Sequence, residues 1–376
     1  MKTLWHFSRV ILGLIFMFSG FVKGIDPWGS AYKFTDYFNA WGMESLLPQA
    51  FPLGVLLSAS EFLIGTALTA NVLVSFFSVL SLFFMLFFTG LTLVIALSNP
   101  VTDCGCFGDA LKLTNWQTFY KNLALLILAL FVFRQRYRLK PAGLPVRAVL
   151  SVITVMLFAY LAVYSYNHLP IIDFRPYRIG TDIPGAMKIP PDAPADVYKN
   201  TFYYQNRKTG QKKKFTEGNY PWRDSLNWEF ISMDSKLIRK GYEPPIADFT
   251  IETAEGEDVK DFFLHDPGYT FIFVVYDQEK ADLSGLQAIR TLADYAHENR
   301  MNFIGLTSAA PAPTEEFKTK NKLHFEFFNV DEITLKTMIR SNPGLILIRD
   351  GVILDKWHYR DFPSVREFEN GHGLAQ

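Results

Sequence analysis

From Phe62 to Thr102 the chain carries no charged residue. No ordinary buried helix of a soluble protein needs so long an uncharged run. Two membrane-crossing helices of ~20 residues each, joined by a tight turn, do need it. The chain is therefore expected to be an integral membrane protein. The same logic predicts about five spans: Phe7–Gly24, Phe51–Ala70, Val72–Ser98, Trp116–Phe133 and Ala148–Tyr166. Lys2 and Arg9 followed by an apolar stretch also suit a signal peptide. However, no small-residue cleavage pattern follows, so the first span reads as retained. Lys121 in the fourth span reads as snorkelling. Charge is concentrated after Arg175, although Lys plus Arg and Asp plus Glu balance at 37 each, which leaves no general attraction to nucleic acid.

The loops orient these spans. Arg134, Arg136, Arg138, Lys140 and Arg147 crowd one loop that holds no acid, which marks it as cytoplasmic. Counting outward in both directions puts the N-terminus inside, with Asp26–Gln49, Asn99–Asn115 and everything after His168 outside.

The two cysteines, Cys104 and Cys106, stand one residue apart in Asp103-Cys104-Gly105-Cys106-Phe107-Gly108-Asp109, within an outer loop. Three readings suit them. A redox pair suits an exposed, strained ring eased by Gly105. A structural staple closing so short a loop contributes little chain entropy. A metal site would have two thiolates with Asp103 or Asp109 but no nearby His, and no metal is expected. Asp103 and Asp109 disfavour thiolate, so activation calls for another element, such as the helix N-terminus near Asn115. Within the second span Glu61 is an ionisable group at mid-membrane, and such groups are paired or functional. Lys23, at the outer end of the first span, meets it only by reaching inward. A protonated Glu61 bonded inside the bundle is the alternative.

The cysteine loop, with Leu113-Thr114-Asn115-Trp116 after it, resembles the MauE branch of the DoxX-like membrane proteins. So do Ser19-Gly20-Phe21-Val22-Lys23-Gly24-Ile25-Asp26-Pro27 and Glu61 in Ser60-Glu61-Phe62-Leu63-Ile64-Gly65. The resemblance covers about residues 5–135. It implies a four-helix membrane bundle of a bacterial inner membrane, tied to disulfide formation or to quinone-linked sulfur chemistry. Lys23 and Glu61 would then hold a quinone. The fifth span and the long tail go beyond that family.

Arg175 to about Gly241 is polar and reads as an extended connector with short local structure, its Lys212-Lys213-Lys214 run a solvated loop. From Pro244 the pattern turns α/β. Strands are predicted at Ala247–Ile251, Thr270–Tyr276 and Asn302–Thr307, and helices at Ser284–Glu298 and Glu332–Arg340. A hairpin of Leu345–Arg349 and Val352–Trp357 turns on Asp350-Gly351. With Pro343 ahead of that hairpin, residues 244–361 resemble a thioredoxin-like domain of the peroxiredoxin or TlpA type. The resemblance places an active site at Asp277–Ser284, where this chain has no cysteine. Pro343 would then shape a client-binding groove, or simply be a turn proline.

The expected organisation is a membrane all-α helical bundle (1–140), a fifth transmembrane helix (141–170), an extracytoplasmic connector (171–243) and an α/β thioredoxin-like domain (244–376). The expected function is that of a membrane thiol-disulfide oxidoreductase. Cys104 and Cys106 would pass electrons to a quinone, and a periplasmic protein client would be held by the C-terminal domain. The alternative is a non-enzymatic assembly or scaffold factor. No nucleotide, flavin or haem motif is present, and membrane lipid is the other expected partner.

Overall fold

The computed structural model of the chain describes residues 2–101, 103–137 and 143–373; Thr102, Arg138 and Lys140 lie outside the described residues. In chain order the first half forms α1 (Lys2–Ile25), α2 (Pro27–Ala40), α3 (Ala50–Thr69), α4 (Val74–Ser98), α5 (Asn115–Arg134) and α6 (Leu144–Asn167). Among the described residues five helices are long and apolar enough to cross a membrane, namely all of these but α2, with α3 lengthened by a 3-10 turn from Glu44. Helix is the form such stretches must take, because hydrocarbon offers the backbone no other hydrogen-bond partner. Their bounds follow the predicted spans closely.

The stretch expected to be a loop, Asp26–Gln49, instead contains α2. Asp26 caps it by accepting a hydrogen bond from the Gly29 N–H at 2.9 Å, with Pro27 in the first turn. Only Pro27, Ala31 and Phe38 are buried on it, so its apolar periodicity is faint in the sequence.

Glycines allow α1 and α3 to pack closely. A Cβ at Gly20 would fall 2.3 Å from the Phe62 nitrogen, and one at Gly65 2.2 Å from the Met17 nitrogen. Close backbone approach of this kind is what holds helices together where lipid is as apolar as the side chains. The core around it comprises Trp5, Leu12, Phe16, Ile64, Leu68, Met85, Leu125 and Ala129, drawn from α1, α3, α4 and α5. Helix α6 is peripheral. Val152, Met156, Tyr160 and Val163 are exposed on it, while Phe158 packs on Phe62 at 5.7 Å.

Residues 182–249 form a separate compact unit. It contains α7 (Ile183–Met187), β1 (Val197–Asn206), β2 (Lys212–Thr216) and β3 (Trp228–Arg239), the strands forming an antiparallel sheet in the order β2-β1-β3. The expectation of an extended connector over 171–243 is corrected here. The stretch folds around aromatic pairs: Tyr204 with Phe215, Phe215 with Trp228, and Phe202 stacked on Tyr220 at 4.3 Å. Strand β3 is exposed almost throughout, so it lacks the one-sided alternation that announces a strand. The Lys212–Lys214 run lies in β2 rather than in a loop.

The C-terminal portion contains α8 (Lys260–Leu264), β4 (Tyr269–Val275), α9 (Leu286–Glu298), β5 (Asn302–Thr307), α10 (Pro311–Asn321), β6 (Phe327–Asn329), α11 (Glu332–Met338), β7 (Gly344–Arg349), β8 (Val352–His358) and α12 (Val365–His372). Its five-stranded sheet runs β6-β5-β4-β7-β8, parallel from β6 to β4 and antiparallel from β4 to β8. Phe271, Phe273, Val275, Ile289, Leu292, Leu345, Leu347 and Phe368 form one core. The strand predicted at Ala247–Ile251 does not form; next to it Glu252 makes isolated bridges to Asp258 and Asn329. The hairpin turns on Asp350 and Gly351, both with positive φ, as a two-residue turn of this hand requires.

The segment leaving α6 is strapped to this sheet. Asp173 accepts from Arg175 Nε at 2.7 Å and from Lys356 Nζ at 2.8 Å, while Lys356 also donates to the Tyr177 carbonyl at 2.9 Å. Burial would raise the Asp173 carboxyl, but Arg175 and Lys356 outweigh it and hold it at about 2.

Candidate functional site

The cysteine loop folds back on itself and is pinned from two helices. Asp103 accepts from the Gly105 N–H at 2.9 Å, and Gly105 takes φ +68°, which a glycine adopts without steric cost. The Tyr37 hydroxyl of α2 donates to the Cys104 carbonyl at 3.2 Å. The Ser19 hydroxyl of α1 donates to the Cys106 carbonyl at 2.7 Å. The two sulfurs lie 3.1 Å apart and share a hydrogen bond.

Behind the loop a cavity of about 320 Å³ runs into the bundle. Cys104, Cys106, Tyr37 and Lys33 line it, together with the apolar side chains of Phe16, Phe84, Phe88 and Leu125. Lys23 and Glu61 line it too. Lys23 does reach inward: its Nζ donates to both Glu61 oxygens at 2.8 and 2.6 Å and to Ser19 Oγ at 2.9 Å, and both side chains are buried. A continuous polar chain therefore runs Glu61–Lys23–Ser19–Cys106 carbonyl. The structure brings together four residues singled out in the sequence, Cys104, Cys106, Lys23 and Glu61.

Two features of the site were not visible in the sequence. Lys121 of α5, expected to snorkel, lines the same cavity with its Nζ 4.3 Å from the centre of the Phe107 ring. The acids expected to oppose thiolate are themselves paired. Lys33 Nζ lies 2.9 Å from Asp103, and Arg340 lies 3.6 Å from Asp109. The two thiols differ accordingly. The Cys106 thiol falls to about 6: the hydrogen bond from Cys104 does most, and Lys121 and Lys23 help against burial. The Cys104 thiol is pushed well above its ordinary value by that same bond and by burial. Two ammonium groups, Lys121 and Lys23, thus act on the Cys106 thiol, beside the helix N-terminus expected to do so near Asn115.

On the other side of the loop lies a polar cavity of about 390 Å³, lined by Asp26, Asp36, Asp103, Asp109, Lys112, Arg175, Lys336 and Arg340. Gly105, Lys23, Ser30 and Lys33 face both cavities, whereas neither Cys104 nor Cys106 lines the polar one.

Pro343 lies just ahead of β7, away from the apolar cavity, and its peptide bond to Asn342 is cis. Around it, Asn342 donates to the Asp277 carbonyl at 2.6 Å, and its own carbonyl accepts from the Asp282 N–H at 3.0 Å. The Asp277–Ser284 stretch and the turn before Pro343 are thus bonded to each other. Among the described residues no cluster of three or more His, Cys, Asp or Glu side chains is placed to hold a metal ion.

Comparison with known proteins bears on two stretches. Residues 198–240, which span most of the three-stranded sheet, match a domain of unknown function, DUF8463. No curated protein and no solved structure matches the chain. Residues 1–135 match the family model described as methylamine utilisation protein MauE. That match spans α1 to α5 with the cysteine loop and the Lys23–Glu61 pair, so the first part of this multi-pass membrane protein is MauE-like.

Proposed function

We propose that this chain is a membrane thiol-disulfide oxidoreductase in which Cys104 and Cys106 pass electrons to a quinone lodged in the apolar cavity. The observation that carries the reading is the shared lining: both cysteines, one buried ion pair and an aromatic wall face one space inside the bundle. An apolar enclosure with a few convergent polar groups is what a lipid-soluble ring with carbonyl oxygens fits. Such a quinone, when bound, supplies a two-electron acceptor. Cys104 and Cys106 would join as a disulfide by giving up two electrons to such an acceptor, together with the proton that Cys104 holds and one from the surroundings. A client dithiol then attacks that disulfide, passes through a mixed disulfide and departs oxidised, which returns both thiols. The Glu61–Lys23–Ser19 chain holds the loop carbonyl and presents donors to the cavity.

In this reading the C-terminal portion is a thioredoxin-like domain without thiol chemistry, placed with the cysteine loop on the outer face of a bacterial inner membrane. Its sheet order and the turn at Pro343 support that. The domain serves to position a periplasmic client, with Pro343 as a candidate contact.

The test is thiol trapping of the full chain in native membranes. Part of the protein should be oxidised at Cys104 and Cys106, and quinone depletion should drive it to the dithiol. A thiol state indifferent to quinone would favour a non-enzymatic assembly factor.

A further inference from the structure

Three lysines line the apolar cavity, and they are not alike. Lys23 is spoken for by Glu61 at 2.6 Å, and Lys33 by Asp103 at 2.9 Å. Lys121 has no carboxylate within 4 Å among the described residues. It sits seven positions into α5, inside a helix of membrane-crossing length, where an uncompensated ammonium is costly. It is held 4.3 Å from the Phe107 ring, the residue next to Cys106. The ring face offsets part of the charge, and the remainder calls for an anion beside it.

The charged and titratable groups facing Cys106 can be named by element. Lys23 comes from α1, Lys33 and Tyr37 from α2, Glu61 from α3, Lys121 from α5, and Cys104 and Asp103 from its own loop. Arg340 is engaged by Asp26 and Asp109 instead. Once the two carboxylate pairs are set aside, a cation and a thiol dyad remain. In that dyad Cys106 is the residue flanked by the ammonium groups: Ser19, which accepts from Lys23, donates to its carbonyl, and Lys121 lies over the ring of the next residue, whereas Cys104 is held by Tyr37.

We infer that the two cysteines have different duties: Cys106 is the sulfur kept as thiolate towards the cavity, Lys121 is the positioning residue that keeps it so, and Cys104 bears the proton. The inference rests on the redox reading for its purpose but not for its test. Within that reading, Cys106 is the sulfur that meets the acceptor, and Cys104 is the one that closes the disulfide.

The experiment is alkylation of the reduced full-length protein in detergent with iodoacetamide from pH 5 to 10, each cysteine being quantified by peptide mass spectrometry. Cys106 should react at lower pH than Cys104. Lys121→Met should move the Cys106 profile up by about one pH unit, roughly a tenfold loss of rate near neutrality. Lys121→Arg should restore it. Prior reaction of Cys104, or an unmoved Cys106 profile in Lys121→Met, overturns the inference. The order of reaction in the unaltered protein decides the matter even if a variant fails to fold. Failure of the redox reading looks different: the order stands, but the thiol state in membranes ignores quinone.

Discussion

Arg340 Nε lies 3.0 Å from Asp26 Oδ1, joining the turn before β7 to the residue that follows α1 and caps α2. Burial alone would raise the Asp26 carboxyl; the charges of Arg340 and Arg175 with the hydrogen bonds from Arg340 and the Gly29 N–H together outweigh it and hold it below the ordinary carboxylate value. Both groups are largely buried, so removing one leaves the other without its partner. Arg340→Met should lower stability by about 3–5 kcal/mol. Asp26→Asn should cost less, because an amide still accepts one hydrogen bond. Thermal melts in detergent, with a double-mutant cycle, check this. Additive effects of the two substitutions would mean that the pair does not hold the parts together.

The Lys23–Glu61 pair should behave differently in stability and in function. Lys23→Met and Glu61→Leu should each destabilise strongly, while the double variant recovers much of the loss by packing apolar groups together. Under the proposed function, redox turnover should stay lost in all three, because each breaks the Glu61–Lys23–Ser19 chain. A double variant with normal thiol cycling would show the pair to be purely structural.

Two glycines separate close packing from helix propensity. Gly20→Ala must push α1 off α3, since its Cβ would lie 2.3 Å from the Phe62 nitrogen. A loss of roughly 2 kcal/mol or more is expected from such overpacking. At Gly90 nothing lies within 4 Å of an added Cβ, and Gly90→Ala should be neutral or slightly stabilising. Melting temperatures of both variants in one detergent test the contrast.

His358 makes stability depend on pH. Its Nδ1 accepts from the Arg360 N–H at 3.3 Å, which requires an unprotonated nitrogen, and burial lowers its value from 6.5 to about 4. Between those values the unfolded chain binds more proton than the folded one. Stability is therefore full above pH 6.5 and falls as pH drops towards 4, by at most roughly 3 kcal/mol. His358→Asn keeps an acceptor without a titration, so its melting temperature should fall less from pH 7.5 to 4.5. Equal falls in both proteins would remove His358 from the account.

Orientation is open to a labelling test. An impermeant maleimide should reach Cys104 or Cys106 in reduced, intact spheroplasts. A cysteine introduced at Gln135, in the basic loop, should react only after the membrane is opened. The reverse pattern would invert the topology.

The spans and the cysteine loop were readable because their signals are local: absence of charge over a long run, and two thiols one residue apart. What escaped was set by partners far along the chain. Lys23 and Glu61 both stand out in the sequence, with their pairing one of two readings, because they stand 38 residues apart and the close glycine contact of α1 with α3 puts them face to face. Lys121 reads as a surface-seeking lysine until Phe107 is folded over it. Arg340 is an ordinary polar residue until Asp26 and Asp109 surround it. The β1–β3 sheet stayed hidden because its apolar residues fall on both faces, with Phe230 beside Ile231 and Leu237 beside Ile238, so no period of two stands out. Helix α10 opens Pro-Ala-Pro and buries only Thr314, Phe317 and Asn321, too sparse a stripe to read.

Gly105 borders the apolar cavity on one side and the polar cavity on the other. Lys23, Ser30 and Lys33 border both as well, and a Cβ at 105 would lie 2.9 Å from the Lys33 side chain. An added side chain at 105 would therefore press on the lysine that pairs with Asp103 and take space from two chambers at once, so the smallness of this one residue is a joint condition on both.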